Sequence, residues 1–212
     1  LLLPVMVLVV SGGHTALVHV KGIGDYEVVG ETLDDAAGEA FDKGAKLLGL
    51  GYPGGPIIDK VAVCGDPNFI HFSRGPCEIN KTTGKFIFSF SGLKTALLYY
   101  LRNHVISEGR QKNDIAASYQ EAIVDALLKG CEVMHNDGEN IGVAGGVSLN
   151  SRLRYKLAVF AERQGVKLLS PPSQMCSDNA AMVAFLASIG RGIWGEDAIK
   201  IDVDPNLPVV GY

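Results

Sequence analysis

Two glycine-containing stretches of the sequence could bind a phosphate group through their backbone amides. The first, SGG at Ser11–Gly13, lies between two apolar, β-branched runs, which predicts a hairpin whose glycines take positive φ at the turn. In the second, Gly145 and Gly146 follow an apolar strand and precede a helix that Asn150 could cap. Amides and the helix dipole point outward at such a strand end, where phosphate or ribose groups bind. Each stretch also fits a purely structural role, as an ordinary turn or a tight helix–strand connection.

Three carboxylates and one further glycine could each have a functional role beside the ordinary structural one. Asp42 fits an i, i+4 ion pair with Lys46 on a solvated helix face, or a hydrogen bond to a substrate hydroxyl if that face lines a cleft. Asp59 could accept hydrogen bonds from a ribose hydroxyl, and Gly55 lies in a glycine–proline stretch that is either a turn or a backbone cradle. Asp178 precedes an apolar helix, so it fits a helix cap or a hard oxygen ligand for a divalent metal ion.

The composition is that of a globular protein without a strong overall charge. The 212 residues are 47% hydrophobic and 20% charged, with a formal net charge of −4, which argues against disorder and against a global basic surface for nucleic acid. The four cysteines form no C-x-x-C pair, and the five histidines form no pair at metal-ligand spacing. The apolar opening, LLLPVMVLVV, is too short to span a bilayer. We therefore expect a cytoplasmic protein with reduced thiols and no membrane partner.

The hydrophobic periodicity predicts strands and helices in alternation, and therefore a mixed α/β fold. An antiparallel hairpin and a short strand at 26–29 come first, followed by a helix near 36–48 that Thr32 or Asp34 could cap. A long helix is predicted at about 113–134, and after it a strand, helix, strand, loop and helix. This alternation is typical of right-handed βαβ crossovers and a parallel sheet.

The order of six motifs, rather than any one of them, is distinctive. The motifs VSGGHT, DDAAGEAFDK, GYPGGP, FSFSGLKT, AGGVSLN and SDNAAM follow one another along the chain. In this succession the sequence closely resembles the bacterial TsaD family, the catalytic subunits that make threonylcarbamoyladenosine in transfer RNA and that were long labelled O-sialoglycoprotein endopeptidases. The resemblance runs from Val5 to about Gly190, which is nearly the whole chain.

The resemblance implies an α/β, actin-like ATPase fold of the sugar kinase and heat-shock chaperone type, with mixed sheets, flanking helices and a nucleotide cleft between two lobes. Residues 1–30 would be the last strands of the N-terminal lobe, 31–190 the C-terminal lobe with a helical insertion, and 191–212 a C-terminal tail. The family's His-x-x-x-His metal-ligand pair lies in an upstream segment that is not in this sequence. We therefore expect a fragment with an incomplete first lobe, a sticky hairpin edge, and little activity or metal binding on its own.

The resemblance also implies an enzymatic activity, the transfer of the threonylcarbamoyl group from threonylcarbamoyl-AMP to N6 of the adenosine beside the anticodon in tRNA. One divalent metal ion, iron in the family, would be bound in part by Asp178. The implied partners are tRNA, an actin-like paralogue subunit and a small ATPase subunit. The family's substrate-binding positions fall on these residues: Val9, Val10, Ser11, Gly12, Gly13, Asp42, Gly55, Asp59 and Asn150.

Two other functional classes remain open from the sequence. A non-catalytic nucleotide-binding scaffold that pairs with another actin-like subunit would need the same glycine loops but no metal ligands. A metalloprotease, the activity in the older family label, would need a zinc-plus-base motif such as H-E-x-x-H, which the sequence lacks. Transfer of labelled threonine to tRNA, measured beside casein cleavage, would separate the three classes.

Overall fold

The computed structural model describes residues 2–73, 77–107, 109–190, 195 and 200. Within them, the strands are β1 (Val5–Val10), β2 (Thr15–Gly22), β3 (Asp25–Thr32), β4 (Glu78–Ile79), β5 (Phe86–Phe88), β6 (Asn140–Ala144) and β7 (Leu168–Leu169). The α-helices are α1 (Ala37–Leu47), α2 (Gly54–Ala62), α3 (Ser91–Asn103), α4 (Arg110–Met134), α5 (Ser151–Gln164) and α6 (Ala180–Ser188). No helix within these ranges is long and apolar enough to cross a membrane.

The strands form one mixed sheet, in the order β4-β5-β3-β2-β1-β6-β7. Strands β1, β2 and β3 are antiparallel neighbours, and Val5 pairs with Val20 while Val10 pairs with Thr15. Strand β6 joins the other side of β1 in parallel, and β7 joins β6 in parallel. The predicted mixed α/β architecture with parallel crossovers is therefore confirmed.

The β1–β2 hairpin lies in the middle of the sheet, so the expectation of a sticky edge is wrong. Strand β6 pairs with β1 along Val5–Val9, and β3 pairs with β2, so the hairpin is hydrogen-bonded on both sides. The same sheet also crosses residue 30, the predicted boundary between the two lobes. Strand β1, from residues 1–30, is a direct neighbour of β6, from residues 31–190. The assignment of these residues to two lobes stays a prediction. Apart from residues 195 and 200, the predicted tail 191–212 lies outside the described residues.

Helix α4 forms the centre of the helical layer, and residues on nearly all of its faces are buried. Tyr119, near the middle of α4, is fully buried, and its hydroxyl donates to the backbone oxygen of Ala40 in α1 at 2.9 Å. This contact depends on Gly44, where a Cβ would lie 2.2 Å from the tyrosine ring. Burial raises the pKa of Tyr119, so the phenol stays protonated and remains a donor.

The N-terminus of α1 is capped from the hairpin rather than by the predicted residues. Ala36 precedes the helix, and the amide of Ala37 donates to Oγ1 of Thr15 in β2 at 2.9 Å. Thr32 and Asp34, which were candidates because of their position, bond elsewhere. The reason is tertiary, because Thr15 becomes a neighbour of the helix only when β2 packs beside it.

Asp34 instead organises the N-terminus of α3. Its carboxylate accepts four hydrogen bonds: from the Ser89 hydroxyl at 2.6 Å, from the Phe90 amide at 2.8 Å, and from the Ser91 hydroxyl and amide at 2.7 and 3.3 Å. Burial raises the pKa of Asp34, but these hydrogen bonds outweigh that effect and hold the pKa below its ordinary value. The ionised carboxylate therefore stabilises the folded chain.

Replacing Asp34 with asparagine should lower the free energy of unfolding by about 1 kcal/mol near pH 7, because a neutral amide makes weaker hydrogen bonds. A carboxyl whose pKa is depressed by folding stabilises the protein above its unfolded pKa, and this stabilisation is lost as the pH falls through the folded pKa. The difference between wild type and Asp34→Asn in urea unfolding should therefore shrink below about pH 4. Asp137→Asn, at an exposed carboxylate, is the matched control. A difference that stays constant down to about pH 2 would contradict the assignment.

Candidate functional site

The turn of the hairpin is an open loop at the end of β1 and β2. Oγ of Ser11 accepts from the amides of Gly13 and His14 at 3.3 and 3.0 Å, and the Ser11 amide donates to the His14 oxygen at 2.9 Å. Gly12 and Gly13 are exposed, and a Cβ at either position would meet no atom within 4 Å. Neither glycine has a positive φ, so the predicted reason for glycine at this turn is wrong. Their effect is to leave the space beside the backbone open.

The end of β6 lies beside the hairpin turn. Val9 pairs with Ala144, and Gly145 packs directly against the carbonyl of Val10. Gly145 has a φ of 91°, and a Cβ there would lie 2.2 Å from the Val10 oxygen. Gly146 is exposed, and the position of its missing Cβ has no atom within 4 Å. Gly145 is therefore required by packing, whereas Gly146 leaves an open backbone surface next to the hairpin.

Helix α1 packs its first turn on the hairpin, and α2 packs its first turn on α1. The amide of Gly38 donates to the Ser11 oxygen at 3.1 Å, and a Cβ on Gly38 would lie only 2.4 Å from that oxygen. Oδ1 of Asp42 accepts from the amide of Gly54 at 2.6 Å. The stretch around Gly55 was predicted to be either a turn or a backbone cradle. It is the first turn of α2, and Asp42 binds the first amide of this helix.

Asp59 and Asn150 meet at the N-terminus of α5. The two carboxylate oxygens of Asp59 accept from the hydroxyl and the amide of Ser151, at 2.7 and 3.0 Å. Oδ1 of Asn150 accepts from the Leu153 amide at 3.0 Å, and Nδ2 of Asn150 donates to Oε1 of Gln120 at 2.7 Å. Asn150 is therefore buried and caps the helix, which was one of its two predicted roles.

The predicted binding residues come together in two adjoining groups at one end of the sheet. The first group is the hairpin turn with the end of β6. The second group follows α2 to the start of α5 and contains these residues: Asp42, Gly55, Asp59 and Asn150. Helix α1 joins the groups, because its first turn binds the hairpin and its Asp42 binds α2. Asp59 and Asn150 already occupy amides at the start of α5, so the open backbone lies in the first group. Within that group the turn amides of Ser11, Gly13 and His14 are also occupied, which leaves Gly12 and Gly146.

Asp178 is exposed and lies in the segment before α6. Asn179, not Asp178, caps this helix, because Oδ1 of Asn179 accepts from the Met182 amide at 3.3 Å. The part of the chain that the structure describes contains no group of three or more His, Cys, Asp or Glu side chains that could bind a metal ion. These residues do not fit a complete site for the implied divalent ion, and we assign no reaction step to a metal.

A single exposed carboxylate predicts weak metal binding by this chain. A divalent ion held by one monodentate ligand should have a dissociation constant of about 1 mM or weaker. Calorimetric titration with Mn²⁺ and with Fe²⁺ under anaerobic conditions would measure this constant, and Asp178→Ala should change it little. Micromolar binding that Asp178→Ala abolishes would show that other residues of the chain complete the site.

Sequence reasoning missed four residues that build the site: Thr15, Gly38, Gln120 and Ser151. Thr15 caps α1, and Gly38 allows the contact between α1 and the hairpin. Gln120 accepts from Asn150 at the start of α5, and Ser151 donates to Asp59 of α2. Two of them carried a signal. Glycine early in a helix is unfavourable without a close contact, and a glutamine among buried residues of a helix needs a partner.

A comparison with solved structures gives the class of fold. The chain is similar to an activator of 2-hydroxyisocaproyl-CoA dehydratase from Clostridium difficile, a structure with bound ADPNP. The TM-score is 0.51 with 14% identity, over 96% of this chain and 66% of that one. At this identity the likeness concerns the fold alone, which is the actin-like ATPase fold. The fold implied by the sequence motifs is confirmed.

Sequence comparison then gives the family. The TsaD family, tRNA N6-adenosine threonylcarbamoyltransferase, matches residues 2–185, and the chain belongs to this family. A relative with that name from Magnetococcus marinus is 47% identical over 97% of this chain and 58% of its own length. Another, from Anaeromyxobacter dehalogenans, is 52% identical over 85% of this chain and 54% of its own length. The chain thus spans a little over half the length of these relatives.

Proposed function

We propose that this chain provides the adenylate-binding part of a tRNA N6-adenosine threonylcarbamoyltransferase. The observation that carries the proposal is the family match over residues 2–185, which includes both open glycine loops. The uncovered backbone at Gly12 and Gly146 supports it, because amides without a covering side chain can approach a phosphate closely.

In the proposed reaction, the amine at N6 of the tRNA adenosine attacks the carbonyl carbon of threonylcarbamoyl-AMP. A C–N bond forms, the bond from that carbon to the phosphate oxygen breaks, AMP leaves with the electron pair, and the amine loses a proton to solvent. The chain's part is to orient the adenylate and to stabilise negative charge on the leaving phosphate. The proposed donors are the amides of Gly12 and Gly146, because the amides of Ser11, Gly13 and His14 already donate within the hairpin turn.

The second group of residues is proposed to bind the ribose. Asp42 uses Oδ1 for the Gly54 amide, and Oδ2 can accept from a ligand hydroxyl. Each oxygen of Asp59 accepts one bond from Ser151 and has a further lone pair for a ribose hydroxyl. A Cβ on Gly55 would lie 3.9 Å from its nearest neighbour, so there is space beside this residue on the first turn of α2.

The remaining parts of the proposal come from the family resemblance. Asp178 would be one ligand of a divalent ion, iron by resemblance. The described residues contain no group of three His, Cys, Asp or Glu side chains that would complete its site. Threonylcarbamoyl-AMP and tRNA would be the substrates, and an actin-like paralogue subunit and a small ATPase subunit the partners. The proposed location is the cytoplasm.

A chimeric enzyme tests the proposed function. In the Magnetococcus marinus relative, the aligned segment is replaced by residues 2–185 of this chain, and transfer of labelled threonine from threonylcarbamoyl-AMP to tRNA is measured. We expect transfer at a rate within about tenfold of the parent enzyme, a difference of about 1.4 kcal/mol in barrier. A folded chimera that binds AMP but transfers no label would favour a scaffold, and casein cleavage without transfer would favour a protease.

A further inference from the structure

Helix α3 carries positive charge and no carboxylate of its own. Its sequence, SGLKTALLYYLRN, contains Lys94 and Arg102 but no Asp or Glu. Among the α-helices of the described ranges, it is the only one with cationic side chains and no acidic ones. Asp34 binds the start of α3, but its carboxylate already accepts four hydrogen bonds. Because the whole chain has a net charge of −4, any surface for a polyanion must be local, and α3 offers one.

The cations of α3 are free, in contrast to those of α5. Within the described ranges, neither the side chain of Lys94 nor that of Arg102 makes an ion pair or a hydrogen bond, and both are exposed. Helix α5 has more cations, but Arg152 and Lys156 pair with Glu121 of α4. The positive charge of α3 is therefore available to an external group, whereas much of the charge of α5 is neutralised within the fold.

Tyr99 lies on the same face of α3 as the two cations. A helix turns by about 100° per residue, so Lys94, Tyr99 and Arg102 lie within about 140° of one another around the axis. Leu93 and Leu97, on the other face, are fully buried. Tyr99 is 59% exposed, and its ring is therefore accessible from solvent. We call the surface formed by Lys94, Tyr99 and Arg102 the α3 face.

The α3 face begins at the edge of the sheet that holds the hairpin turn. Ala16, which lies just after the turn, pairs with Glu31, and Glu31 pairs with Ile87 of β5. Strand β5 therefore ends at this edge, and α3 begins shortly after it. Lys94 lies near the start of α3, and Arg102 lies about 12 Å further along, since a helix rises about 1.5 Å per residue. The α3 face thus runs from the edge of the proposed adenylate site along the outside of the helix.

Exposed cations beside an exposed aromatic ring are the features with which proteins bind a single nucleic acid strand. Cationic side chains neutralise phosphates, and a base can stack on the ring. We infer that the α3 face binds a single-stranded segment of RNA, with phosphates at Lys94 and Arg102 and a base on Tyr99. The inference rests on the proposed function, which supplies the RNA as the tRNA loop that contains the adenosine beside the anticodon. It adds the surface of this chain that holds that loop.

Fluorescence anisotropy with a labelled RNA hairpin, whose loop contains that adenosine, tests the inference. The titration is repeated at several salt concentrations. The double variant Lys94→Gln/Arg102→Gln should bind the hairpin about tenfold more weakly than wild type. The plot of log affinity against log salt concentration should become less steep by about 1.4, because each phosphate contact to a single strand contributes about 0.7 to the slope.

Tyr99 is tested separately, because stacking involves no net charge. Tyr99→Ala should weaken RNA binding by about tenfold and leave the salt dependence unchanged. Tyr99→Phe retains the ring and should bind within about twofold of wild type. A variant that only disturbed the fold would not separate affinity from salt dependence in this way, and thermal unfolding curves show that each variant is folded.

Arg163→Gln/Lys167→Gln is the matched control, since it also removes one arginine and one lysine, both of them exposed. These residues lie at the end of α5 and just before β7. Strand β7 is at one edge of the sheet, whereas β5, which precedes α3, is near the other. The control variant should keep the salt dependence of wild type and an RNA affinity within about twofold of it.

The outcomes separate a failure of the inference from a failure of the proposed function. If the folded variant Lys94→Gln/Arg102→Gln binds RNA with wild-type affinity and salt dependence, the inference is overturned and the α3 face is left to a protein partner. The same holds if the wild-type chain shows no saturable RNA binding. The proposed function is untouched by either result, because AMP calorimetry and the chimera test it independently. If the α3 variants lose RNA binding as expected but the chimera transfers no label, the RNA surface stands and the proposed reaction is wrong.

Discussion

Replacing Gly145 with alanine is expected to lower the free energy of unfolding by roughly 3 kcal/mol or more. Two effects add at this position, because a φ of 91° is unfavourable for any residue with a Cβ, and that Cβ would lie 2.2 Å from the Val10 oxygen. The strand that carries Val10 is paired on both sides and cannot move away without losing hydrogen bonds. Urea unfolding followed by circular dichroism measures the change.

Gly146→Ala is the matched control for this prediction. The next residue along the chain has no positive φ, and its added Cβ would meet no atom within 4 Å. We expect its free energy of unfolding to stay within about 0.5 kcal/mol of wild type. Similar losses for both variants would mean that the close contact between β1 and the end of β6 is not what requires glycine at 145.

Gly12→Val should weaken AMP binding by about tenfold or more, which corresponds to about 1.4 kcal/mol. The valine side chain would occupy the open space beside the hairpin backbone, where the phosphate is proposed to approach. Because Gly12 has no positive φ and no close neighbour, the fold should tolerate valine without strain. Calorimetry gives the affinity, and a thermal unfolding curve shows that the fold is retained.

Gly92→Val provides the control, since Gly92 is another exposed glycine whose Cβ would meet no atom within 4 Å. It lies in the first turn of α3, outside both groups of binding residues. We expect this variant to bind AMP like wild type. An AMP affinity that Gly12→Val leaves unchanged in a folded chain would contradict the assignment of the hairpin turn as the phosphate site.

The sequence predicts the fold well where the signal is local. Alternation of apolar and polar residues marks the strands, and the spacing along 113–134 marks the helix observed at Arg110–Met134. The position of the hairpin within the sheet was not predictable in this way. It depends on the pairing of Val5 with Asn140, residues that are far apart in sequence, and no local pattern specifies such a partner.

The site shows the same limit at the level of single residues. Local sequence allowed Asn150 to be either a cap or a ligand-binding residue, and only the partner on α4 shows how its amide is oriented. Asp34 was a reasonable candidate for capping the next helix, yet it binds the start of α3 because β3 and β5 are neighbours. The sequence does not distinguish Gly12 from Gly145. In the structure the space beside Gly12 is open, whereas Gly145 is packed tightly against Val10.

An amide-resolved NMR titration of the chain with AMP tests the central claim, that the adenylate binds at the end of the sheet where the hairpin meets β6. We expect the largest chemical-shift changes at saturation at the backbone amides of Gly12, Gly13 and Gly146. Saturable binding that leaves these three resonances unmoved, with its largest changes elsewhere in the chain, would contradict this claim.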